Sequence, residues 1–368
     1  MLDGFTIGLT ADRRADEQAA LFARRGAAVQ HGPTIRTLAL GSDGPLRAAT
    51  EAVVARRPDV VIANTGLGVR SWFSAAEDSG MGDALAEALA GSKIVARGPK
   101  ASGAIHSQGL DVEVRATSER LSDAVDLALE LVRPGDSVVL QLDGRGTNAQ
   151  AERLRQAGVE VIEVPVYVWQ LPEDPHPAVR LAESVIAGKV HAVTFTAGPA
   201  ITNWLDLADE RGLRGALTSA LIDGSVVVGC VGPVCADVAR GHGLDSEHLV
   251  VPRTWRLGPL VRRVADELLA RRVVVAVGEA SLVLRGTRVS VGDTELDLTD
   301  TEAQVLAALA ARPGVVHSKA ELLRDVWGDE HADPHLVEVI VARIRRRLAP
   351  TGVTIGSVYR RGYTLRAS

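Results

Sequence analysis

One stretch of the chain occurs twice, and the second copy lies 132 residues after the first. Residues 59–66 form a short apolar run that ends in a glycine turn, and residues 191–198 have the same form. Trp72 and Trp204 follow at the same offset. Agreement along a whole strand, turn and helix indicates two similar structural units, because chance matches rarely extend over complete units. The repeat therefore predicts two lobes of the same kind.

The segments around the repeats alternate between strand and helix patterns. Residues 136–142 read as a strand, residues 148–157 as a helix and residues 159–164 as the next strand. The first 29 residues have the same strand, helix, strand order. Such alternation is typical of parallel sheets with helices on both faces. We therefore expect a mixed α/β fold over the first 271 residues.

Composition narrows the class of protein further. Hydrophobic residues make up 46% of the 368 residues, aromatic residues only 3%, and the net charge is -5. No run approaches the roughly 18 apolar residues that span a membrane, and the start of the chain lacks a signal-peptide pattern. The two cysteines form no disulfide framework, and no histidine or cysteine spacing is typical of a metal site. We expect a cytoplasmic protein with no membrane partner, no metal and no cofactor.

Small residues follow the strands of both repeats. In parallel sheets, ligands bind at the carboxyl ends of strands, where glycine turns and helix N-termini offer free N–H groups to anions. The repeated glycine-proline turns at residues 98–110 and 232–244 extend the same pattern. The candidate ligand-binding residues are Thr65, Gly66, Gly68, Thr196, Ala197, Gly198 and Gly232.

Together with the segment VPVYVW at residues 164–169, these turns resemble uroporphyrinogen-III synthase over roughly residues 2–271. The resemblance implies two α/β lobes, one formed by residues 1–37 and 166–271 and the other by residues 38–165. In that family a linear tetrapyrrole is closed and rearranged in the cleft between the lobes, without a metal or organic cofactor. An anionic, tetrapyrrole-like ligand is therefore the expected small-molecule partner.

The resemblance also implies a role for Tyr167, which falls where the family has a tyrosine that faces the cleft and is a candidate proton donor. A tyrosine that packs at a lobe junction with its hydroxyl in water is an equally good interpretation. The chain departs from the family at the positions Asn64-Thr65, Thr196-Ala197, Ala101, Cys235 and Asn148. These departures remove hydroxyl groups and a cation, so they weigh against full synthase activity while leaving an anion site open.

The segment from Gly144 to Ala149 formally satisfies a dinucleotide-binding fingerprint, with Glu163 near the end of the next strand. A glycine turn that leads into a helix is common in α/β proteins, and the synthase-like arrangement explains this one without a nucleotide. A nucleotide sensor is therefore the weakest of the functional hypotheses.

The last part of the chain has a different pattern, with residues 272–280 as a linker between the two. Residues 281–298 read as three short alternating strands that are separated by glycine turns. Two capping boxes, at residues 299–302 and 318–321, precede helices, and a third helix runs from about residue 334 to residue 348. A hairpin with Arg360 and Arg361 at its tip completes residues 281–368. This order predicts a winged helix.

Charge in this domain is concentrated at its end. Residues 330–368 contain seven arginines against three acidic residues. On the third helix, an apolar stripe at helical spacing comprises Leu336, Val337, Ile340, Ile344 and Leu348. The arginines project elsewhere on this helix, and one packed face with one cationic face is what a DNA-reading helix needs. The pattern predicts a double-stranded DNA partner.

Residues 295–365 closely resemble the effector domain of OmpR/PhoB-type response regulators, on the runs LTDTEAQVLAALAARPGVVHSKAELLRDVW, HLVEVIVARIRRRL and RRGYTL. The resemblance implies a recognition helix in the major groove and a wing in the minor groove, with a homodimer on DNA left open. The implied DNA-binding residues are His335, Glu338, Arg343, Arg345, Arg346, Arg360 and Arg361. The start of the helix and the wing depart from the family at His335-Leu336 and Tyr359-Arg360, so the preferred DNA sequence does not transfer.

Two functional hypotheses follow. The first is a transcription regulator in which a ligand between the lobes alters the presentation of the winged helix; fusions of this kind are known to regulate nitrate and nitrite assimilation. The alternative is an active uroporphyrinogen-III synthase that converts hydroxymethylbilane in tetrapyrrole biosynthesis and carries a DNA-binding appendage.

Overall fold

The computed structural model describes residues 1–142, 144 and 149–367. Contacts divide the chain into two compact units, one of Met1–Ile35 and Pro172–Ser368 and one of Arg36–Leu171. The first unit contains lobe 1, residues 1–35 and 172–271, and the winged-helix domain, residues 272–367. The second unit is lobe 2.

The helices and strands fall into three groups along the chain. Up to residue 171 they are β1 (Thr6–Leu9), α1 (Ala15–Ala23), β2 (Ala28–His31), β3 (Arg36–Ala39), α2 (Pro45–Arg56), β4 (Val60–Ala63), α3 (Gly66–Asp78), α4 (Gly82–Ala90), β5 (Lys93–Ala96), α5 (Pro99–His106), β6 (Val114–Arg115), α6 (Leu121–Leu129), β7 (Ser137–Leu142), α7 (Ala149–Gln156), β8 (Glu160–Pro165) and β9 (Tyr167–Gln170). From residue 172 to residue 270 they are α8 (His176–Ile186), β10 (Ala192–Phe195), α9 (Gly198–Glu210), α10 (Arg214–Ile222), β11 (Val227–Cys230), α11 (Pro233–Gly241), β12 (Leu249–Val250) and α12 (Leu257–Ala270). The winged-helix domain has β13 (Val273–Val277), β14 (Ala280–Arg285), β15 (Arg288–Val291), β16 (Thr294–Asp297), α13 (Asp300–Ala311), α14 (Lys319–Trp327), α15 (His335–Leu348), a 3₁₀ turn (Ala349–Thr351), β17 (Val353–Val358) and β18 (Gly362–Ala367).

Each lobe has a five-stranded parallel sheet, and the two sheets have the same order. Lobe 1 has the order β12-β11-β10-β1-β2 and lobe 2 the order β6-β5-β4-β7-β8. The repeat places β10 on β4, so β1 of lobe 1 corresponds to β7 of lobe 2 although it comes first in the chain. The predicted two-lobed α/β fold is confirmed.

The boundary between the lobes differs slightly from the predicted one. Residues 36–37 and 166–171 were expected in lobe 1, whereas the structure places them in lobe 2. The reason is that β3 pairs antiparallel with β9, from Arg36 opposite Gln170 to Ala39 opposite Tyr167. Because these strands bind each other, both belong to one unit.

The repeated tryptophans lie in the cores of their lobes. Trp72 is 2% exposed and Trp204 is 1% exposed. The indole N–H of Trp72 donates to Thr50 Oγ1, and that of Trp204 donates to the carbonyl of Ala178, both at 3.0 Å. A buried indole with a satisfied N–H is a stable core residue. These side chains are therefore structural.

The winged-helix domain begins with an antiparallel sheet in the order β13-β14-β15-β16. Both predicted capping boxes are present, at Thr299 with Glu302 and at Ser318 with Glu321. In each, the hydroxyl accepts a backbone N–H of the first helical turn and the glutamate accepts the backbone N–H of the hydroxyl residue, which fixes the start of the helix. The predicted winged helix is confirmed.

Residues 272–280, predicted as a linker, instead contain β13, which pairs with β14 along its whole length. Val275 and Val277 of β13 are buried, whereas Val274 is 55% exposed. The alternation of a half-buried strand is hidden in the sequence because the exposed positions are also apolar. Only Arg271 and Arg272 separate α12 from β13.

Among the described residues, no helix combines the length and the apolar character needed to cross a lipid bilayer.

Candidate functional site

Helix α15 packs through one buried stripe. Val337, Val341, Ile344 and Leu348 are each at most 1% exposed and lie in the core of the winged-helix domain. The predicted stripe included Leu336, which is 43% exposed. The observed residues follow each other at steps of four, three and four, which keeps them on one helical face, whereas Leu336 is rotated off that face. The opposite face of α15 is solvent-exposed.

Arg343 and Arg346 lie on that exposed face. Both are exposed, and within the described part of the chain neither has a side-chain hydrogen bond or ion pair. An unpaired guanidinium on a helix exchanges only water and counterions when it binds a phosphate, so it contributes fully to the electrostatic affinity for DNA. These two predicted residues are the strongest candidates for DNA contacts on α15.

Arg345, also predicted to bind DNA, has other partners in the structure. Its Nε donates to the carbonyl of Ile355 at 2.6 Å, a terminal nitrogen donates to Ser357 Oγ at 2.7 Å, and its guanidinium lies 5.7 Å from the centre of the Tyr363 ring. These contacts join α15 to the hairpin of β17 and β18. Arg345 therefore holds the hairpin in place relative to α15.

Arg347 is also held within the domain. Its Nε lies 3.0 Å from Glu302 Oε2, and a terminal nitrogen donates to the carbonyl of Asp297 at 3.0 Å. The Glu302 side chain is only 2% exposed. A buried carboxylate needs such a partner, because desolvation without one is costly. This role was not visible in the sequence, since the partners lie 45 and 50 residues away.

The first turn of α15 presents a linked acid and base. Glu338 accepts from Lys319 Nζ of α14 and lies 3.2 Å from His335 Nδ1. The ammonium group of Lys319, followed by His335, lowers the pKa of Glu338. The carboxylate is therefore ionised, and it is a hydrogen-bond acceptor at the start of α15.

The tip of the wing is exposed and cationic. Tyr359 is 82% exposed, and the guanidinium of Arg360 lies 5.2 Å from the centre of its ring. Arg360 has a φ of 57°, and Arg361 beside it is exposed. A Cβ on Gly362, which has a φ of +132°, would lie 1.9 Å from the carbonyl oxygen of His317, so the hairpin requires glycine there. The two tip arginines thus stand on an anchored hairpin beside α15.

In lobe 2, the candidate ligand turn follows β4. Thr65 caps α3, because its Oγ1 accepts the N–H of Gly68 at 3.0 Å. The backbone N–H groups of Asn64 and Thr65 donate to Gln141 Oε1 at 3.1 and 2.9 Å. Gly66 and Gly68 are buried. Three of the N–H groups at this strand end are therefore already paired within the protein.

Further polar groups surround that turn, and the sequence pattern did not indicate them. Arg97 donates to Asn64 Oδ1 at 2.7 Å. Asn64 and Gln141 are each 1% exposed, and their Nδ2 and Nε2 atoms are buried without a partner in the described structure. A glutamine in a strand gives no sequence signal of this kind, because its partners are backbone groups on the neighbouring strand.

Tyr167 lies beside the same turn. Its hydroxyl is 3.5 Å from Thr65 Oγ1, and its ring is 5% exposed and packs against Trp169 at a centroid distance of 5.7 Å. The structure thus brings together two of the predicted site residues, Tyr167 and Thr65. The ring is largely withdrawn from solvent.

In lobe 1, the equivalent turn follows β10, and among the described residues its backbone N–H groups have fewer partners. The position that matches Gln141 is Thr10, whose shorter side chain donates to the carbonyl of Thr194 at 2.8 Å. Within the described residues, the backbone N–H groups of Thr196, Ala197 and Gly198 carry no hydrogen bond. Gly232 occupies the next turn of the same sheet edge, before α11. Two of these donors, the N–H groups of Thr196 and Ala197, correspond to the two N–H groups that Gln141 accepts in lobe 2.

Exchanging the residues at the two N-cap positions, Thr65 and Ala197, is expected to change the stability of the protein in opposite directions. Thr65 and Ala197 have nearly the same backbone conformation, with φ, ψ of -136°, 143° and -148°, 138°, but only Thr65 caps its helix. Thr65→Ala is expected to lower the free energy of unfolding by about 1 kcal/mol, and Ala197→Thr to raise it by up to about 1 kcal/mol. Urea denaturation of both variants measures this, and a loss of stability in both would contradict equivalent caps.

Among the described residues, no group of three or more histidine, cysteine, aspartate or glutamate side chains is arranged to hold a metal ion. The fingerprint from Gly144 to Ala149 includes residues 145–148, which lie outside the described residues. It stays a prediction.

Comparison with known proteins identifies both parts of the chain. The family model "Uroporphyrinogen-III synthase HemD" matches residues 16–262. The chain belongs to the uroporphyrinogen-III synthase family. A second model, "Transcriptional regulatory protein, C terminal", matches residues 293–365. This member of the synthase family therefore carries an OmpR/PhoB-type DNA-binding domain at its C-terminal end.

Individual relatives agree with this division. The uncharacterized protein YjjA of Bacillus subtilis is 24% identical over 272 residues, which cover 71% of this chain and 95% of that protein. The transcriptional regulatory protein PrrA of Mycobacterium tuberculosis is 35% identical over 135 residues, 33% of this chain and 58% of the regulator. A mutant uroporphyrinogen-III synthase from Thermus thermophilus has a TM-score of 0.60 at 26% identity, covering 73% of this chain and all of that chain. The synthase-like fold with a DNA-binding domain supports a transcription regulator that binds double-stranded DNA.

Proposed function

We propose that this protein is a ligand-responsive transcription regulator, in which α15 and the wing bind DNA and the synthase-like lobes bind an anionic small molecule. The observation that carries the DNA part is the pair Arg343 and Arg346 on the exposed face of α15, which have no hydrogen-bond or ion-pair partner in the described part of the chain. They stand beside a wing with two further arginines, Arg360 and Arg361. A surface of this kind binds the phosphate backbone, and the polar groups at the start of α15 reach base edges.

The ligand part of the proposal rests on the turn after β10 in lobe 1. The N–H groups of residues 196–198, which have no partner among the described residues, lie at the carboxyl end of β10 and at the N-terminus of a 13-residue helix. Both features favour an anion, through direct hydrogen bonds and through the helix dipole. The turn of lobe 2 is the weaker candidate because Gln141 accepts two of its N–H groups. We propose that carboxylate groups of a ligand bind at residues 196–198 and Gly232.

Ala197→Asp tests this assignment. A carboxylate at the cap position would satisfy the free N–H groups of α9 and repel an anionic ligand. Inorganic phosphate, citrate and uroporphyrin III are the probes, and wild-type protein is expected to gain thermal stability with at least one of them as mass action requires. The variant should lose that gain, whereas the control Thr65→Asp in lobe 2 should keep it. An equal ligand-induced gain in thermal stability in Ala197→Asp and in the wild type would rule out the turn at residues 196–198 as the anion site.

A homodimer on DNA and control of nitrate and nitrite assimilation are the finer parts of the proposal. Both rest on the resemblance to regulators of this architecture. A genome-wide binding map tests them together, because a dimer selects paired half-sites about one helical turn apart. Binding sites away from nitrate assimilation promoters would remove the second part.

The alternative function, uroporphyrinogen-III synthase activity, is favoured by the position of Tyr167 beside Thr65. Its test is incubation of the protein with enzymatically generated hydroxymethylbilane, followed by separation of the type I and type III products. Type III product that disappears in Tyr167→Phe would support the enzyme. Type I product alone would exclude synthase activity and leave the transcription regulator as the proposed function.

A further inference from the structure

The turn between β14 and β15 lies against the start of the chain. The backbone N–H of Thr287 donates to the carbonyl of Gly4 at 2.9 Å, and the Thr287 hydroxyl donates to the same oxygen at 3.2 Å. These bonds connect the winged-helix domain with the residues that lead into β1 of lobe 1. They join positions 283 residues apart in the chain.

Two glycines make this approach sterically feasible. A Cβ on Gly286 would lie 2.1 Å from the Gly4 carbonyl oxygen, and a Cβ on Gly4 would lie 2.2 Å from the carbonyl oxygen of Arg285. Both glycines have positive φ, 55° for Gly286 and 88° for Gly4. Any other residue at either position would force the two backbones apart. The contact therefore depends on glycine on both sides.

A second contact comes from α13. The side-chain amide of Gln304 donates to the carbonyls of Ala187 and Gly188, at 3.1 and 3.3 Å, just beyond the end of α8. These carbonyls directly follow the last turn of α8, where backbone acceptors have no partner within the helix. Gln304 thus satisfies acceptors of lobe 1 from the winged-helix domain.

His191 lies behind the same contact. Its Nδ1 accepts the N–H of Thr6 at 3.0 Å, its ring meets the Phe5 ring edge-on at 5.3 Å, and its Nε2 faces Gly286. Burial lowers the pKa of His191, while the carboxylate of Asp300 on α13 partly offsets that effect. The ring is therefore neutral at pH 7, and Nδ1 remains an acceptor that ties β1 to β10.

These contacts share one side of lobe 1. Gly4 precedes β1 and His191 precedes β10, so both lie at the amino ends of parallel strands. The proposed ligand turn at residues 196–198 lies at the carboxyl end of β10, the opposite edge of the same sheet. Among the described residues, the hydrogen bonds and ion pairs of α15 side chains all remain within the winged-helix domain.

We propose that the amino edge of the lobe 1 sheet, meaning the side on which its parallel strands begin, is a docking surface. Its partner is the winged-helix domain of the same chain. The β14–β15 turn and Gln304 hold the domain on this edge and leave α15 free for DNA. Strand β10 then joins the ligand turn at one end to the docked DNA reader at the other, a span of about 13 Å at 3.3 Å per residue. The regulatory meaning of this connection rests on the proposed function, whereas the docking surface does not.

Two matched substitutions in the full chain test the docking surface. Asparagine tolerates the positive φ of Gly286, so Gly286→Asn preserves the β14–β15 turn while its Cβ collides with Gly4. Gly292→Asn is the control, because Gly292 has a φ of 56° in the next hairpin and its Cβ would meet nothing within 4 Å. Hydrogen exchange of the Thr287 amide and of residues 2–9 is expected to be roughly tenfold faster in Gly286→Asn and unchanged in Gly292→Asn.

Gln304→Glu provides a second variant that keeps α13 intact. It replaces an amide donor by a carboxylate of the same shape facing two carbonyl oxygens, and an acidic residue in the first turns of a helix is favourable to the helix itself. Hydrogen exchange at residues 186–192 should become roughly tenfold faster in Gln304→Glu, the same factor as expected at residues 2–9 in Gly286→Asn. Unchanged exchange in both variants would overturn the docking surface.

Binding to a mixed-sequence duplex of about 30 base pairs separates the docking surface from the proposed function. Gly286→Asn is expected to bind this duplex within about twofold of wild type, because α15 and the wing keep their partners. A loss of more than about tenfold would overturn the inference that docking leaves α15 free. Failure of the wild type to bind any duplex would overturn the proposed function and leave the exchange result standing.

Discussion

Replacing Arg343 and Arg346 together by alanine is expected to weaken DNA binding roughly 30-fold near 0.15 M salt. Each guanidinium has no partner in the described structure, so each is free to displace a counterion from a phosphate. Loss of two such contacts should make the negative slope of log affinity against log salt shallower by about 1.8. A shift assay on a mixed-sequence duplex at several salt concentrations measures both quantities.

The control for this prediction removes the same charge elsewhere. Arg13 and Arg180 are exposed arginines of lobe 1, and Arg13→Ala with Arg180→Ala changes the net charge by the same amount. If affinity depends on contacts at α15, the control pair should leave the salt slope near that of wild type. Equal losses in the two double variants would show that only net charge matters, and the assignment of α15 as the DNA-reading helix would fall.

Local signals predicted the winged-helix domain well. The two capping boxes set the starts of α13 and α14, because each involves residues within one turn of helix. Strand β13 was missed because its exposed positions, such as Val274, are as apolar as its buried ones. Its pairing with β14 decides its conformation, and no local pattern carries that information.

The sequence did not predict which arginines of α15 have partners within the protein and which do not. Arg345 and Arg346 are neighbours of the same type, yet Arg345 binds the carbonyl of Ile355 while Arg346 has no partner in the described structure. What separates them is the position of β17, which is set by the tertiary fold. A helical pattern shows which face is polar, and it does not show which polar residues are occupied within the protein.

The repeat predicted the architecture of the lobes but not the difference between their ligand turns. The equivalence of β4 with β10 follows from the sequence, since the two segments align at one offset. Gln141 and Thr10 lie on or beside the neighbouring strands β7 and β1, which occupy opposite ends of the repeat in the chain. Their equivalence appears only when the sheet order is known. The docking of Gly4 against Gly286 is likewise a long-range contact, with no signal beyond two turn-forming glycines.

Arg347→Ala is expected to destabilise the winged-helix domain by about 2 kcal/mol. Among the described residues, the substitution leaves the buried Glu302 carboxylate with the Thr299 N–H as its only hydrogen-bond partner. Breaking a buried ion pair costs 3 to 5 kcal/mol or so, and the half-exposed position of Arg347 reduces that figure. Urea denaturation, with hydrogen exchange of α13 and α15 as the readout, measures the loss in free energy of unfolding. The loss corresponds to a fall of roughly 10 °C in melting temperature.

A second substitution separates the ion pair from simple loss of packing. Glu302→Gln in the Arg347→Ala background removes the stranded charge, while the amide oxygen at residue 302 can still accept the N–H of Thr299. The double variant should therefore recover more than half of the lost stability. If it is no more stable than Arg347→Ala, the aliphatic part of Arg347 carries the effect, and the buried carboxylate does not depend on its partner. Recovery would instead show that Arg347 compensates the buried charge of Glu302. Arg343 and Arg346 on the same helix have no such ion pair in the described part of the chain.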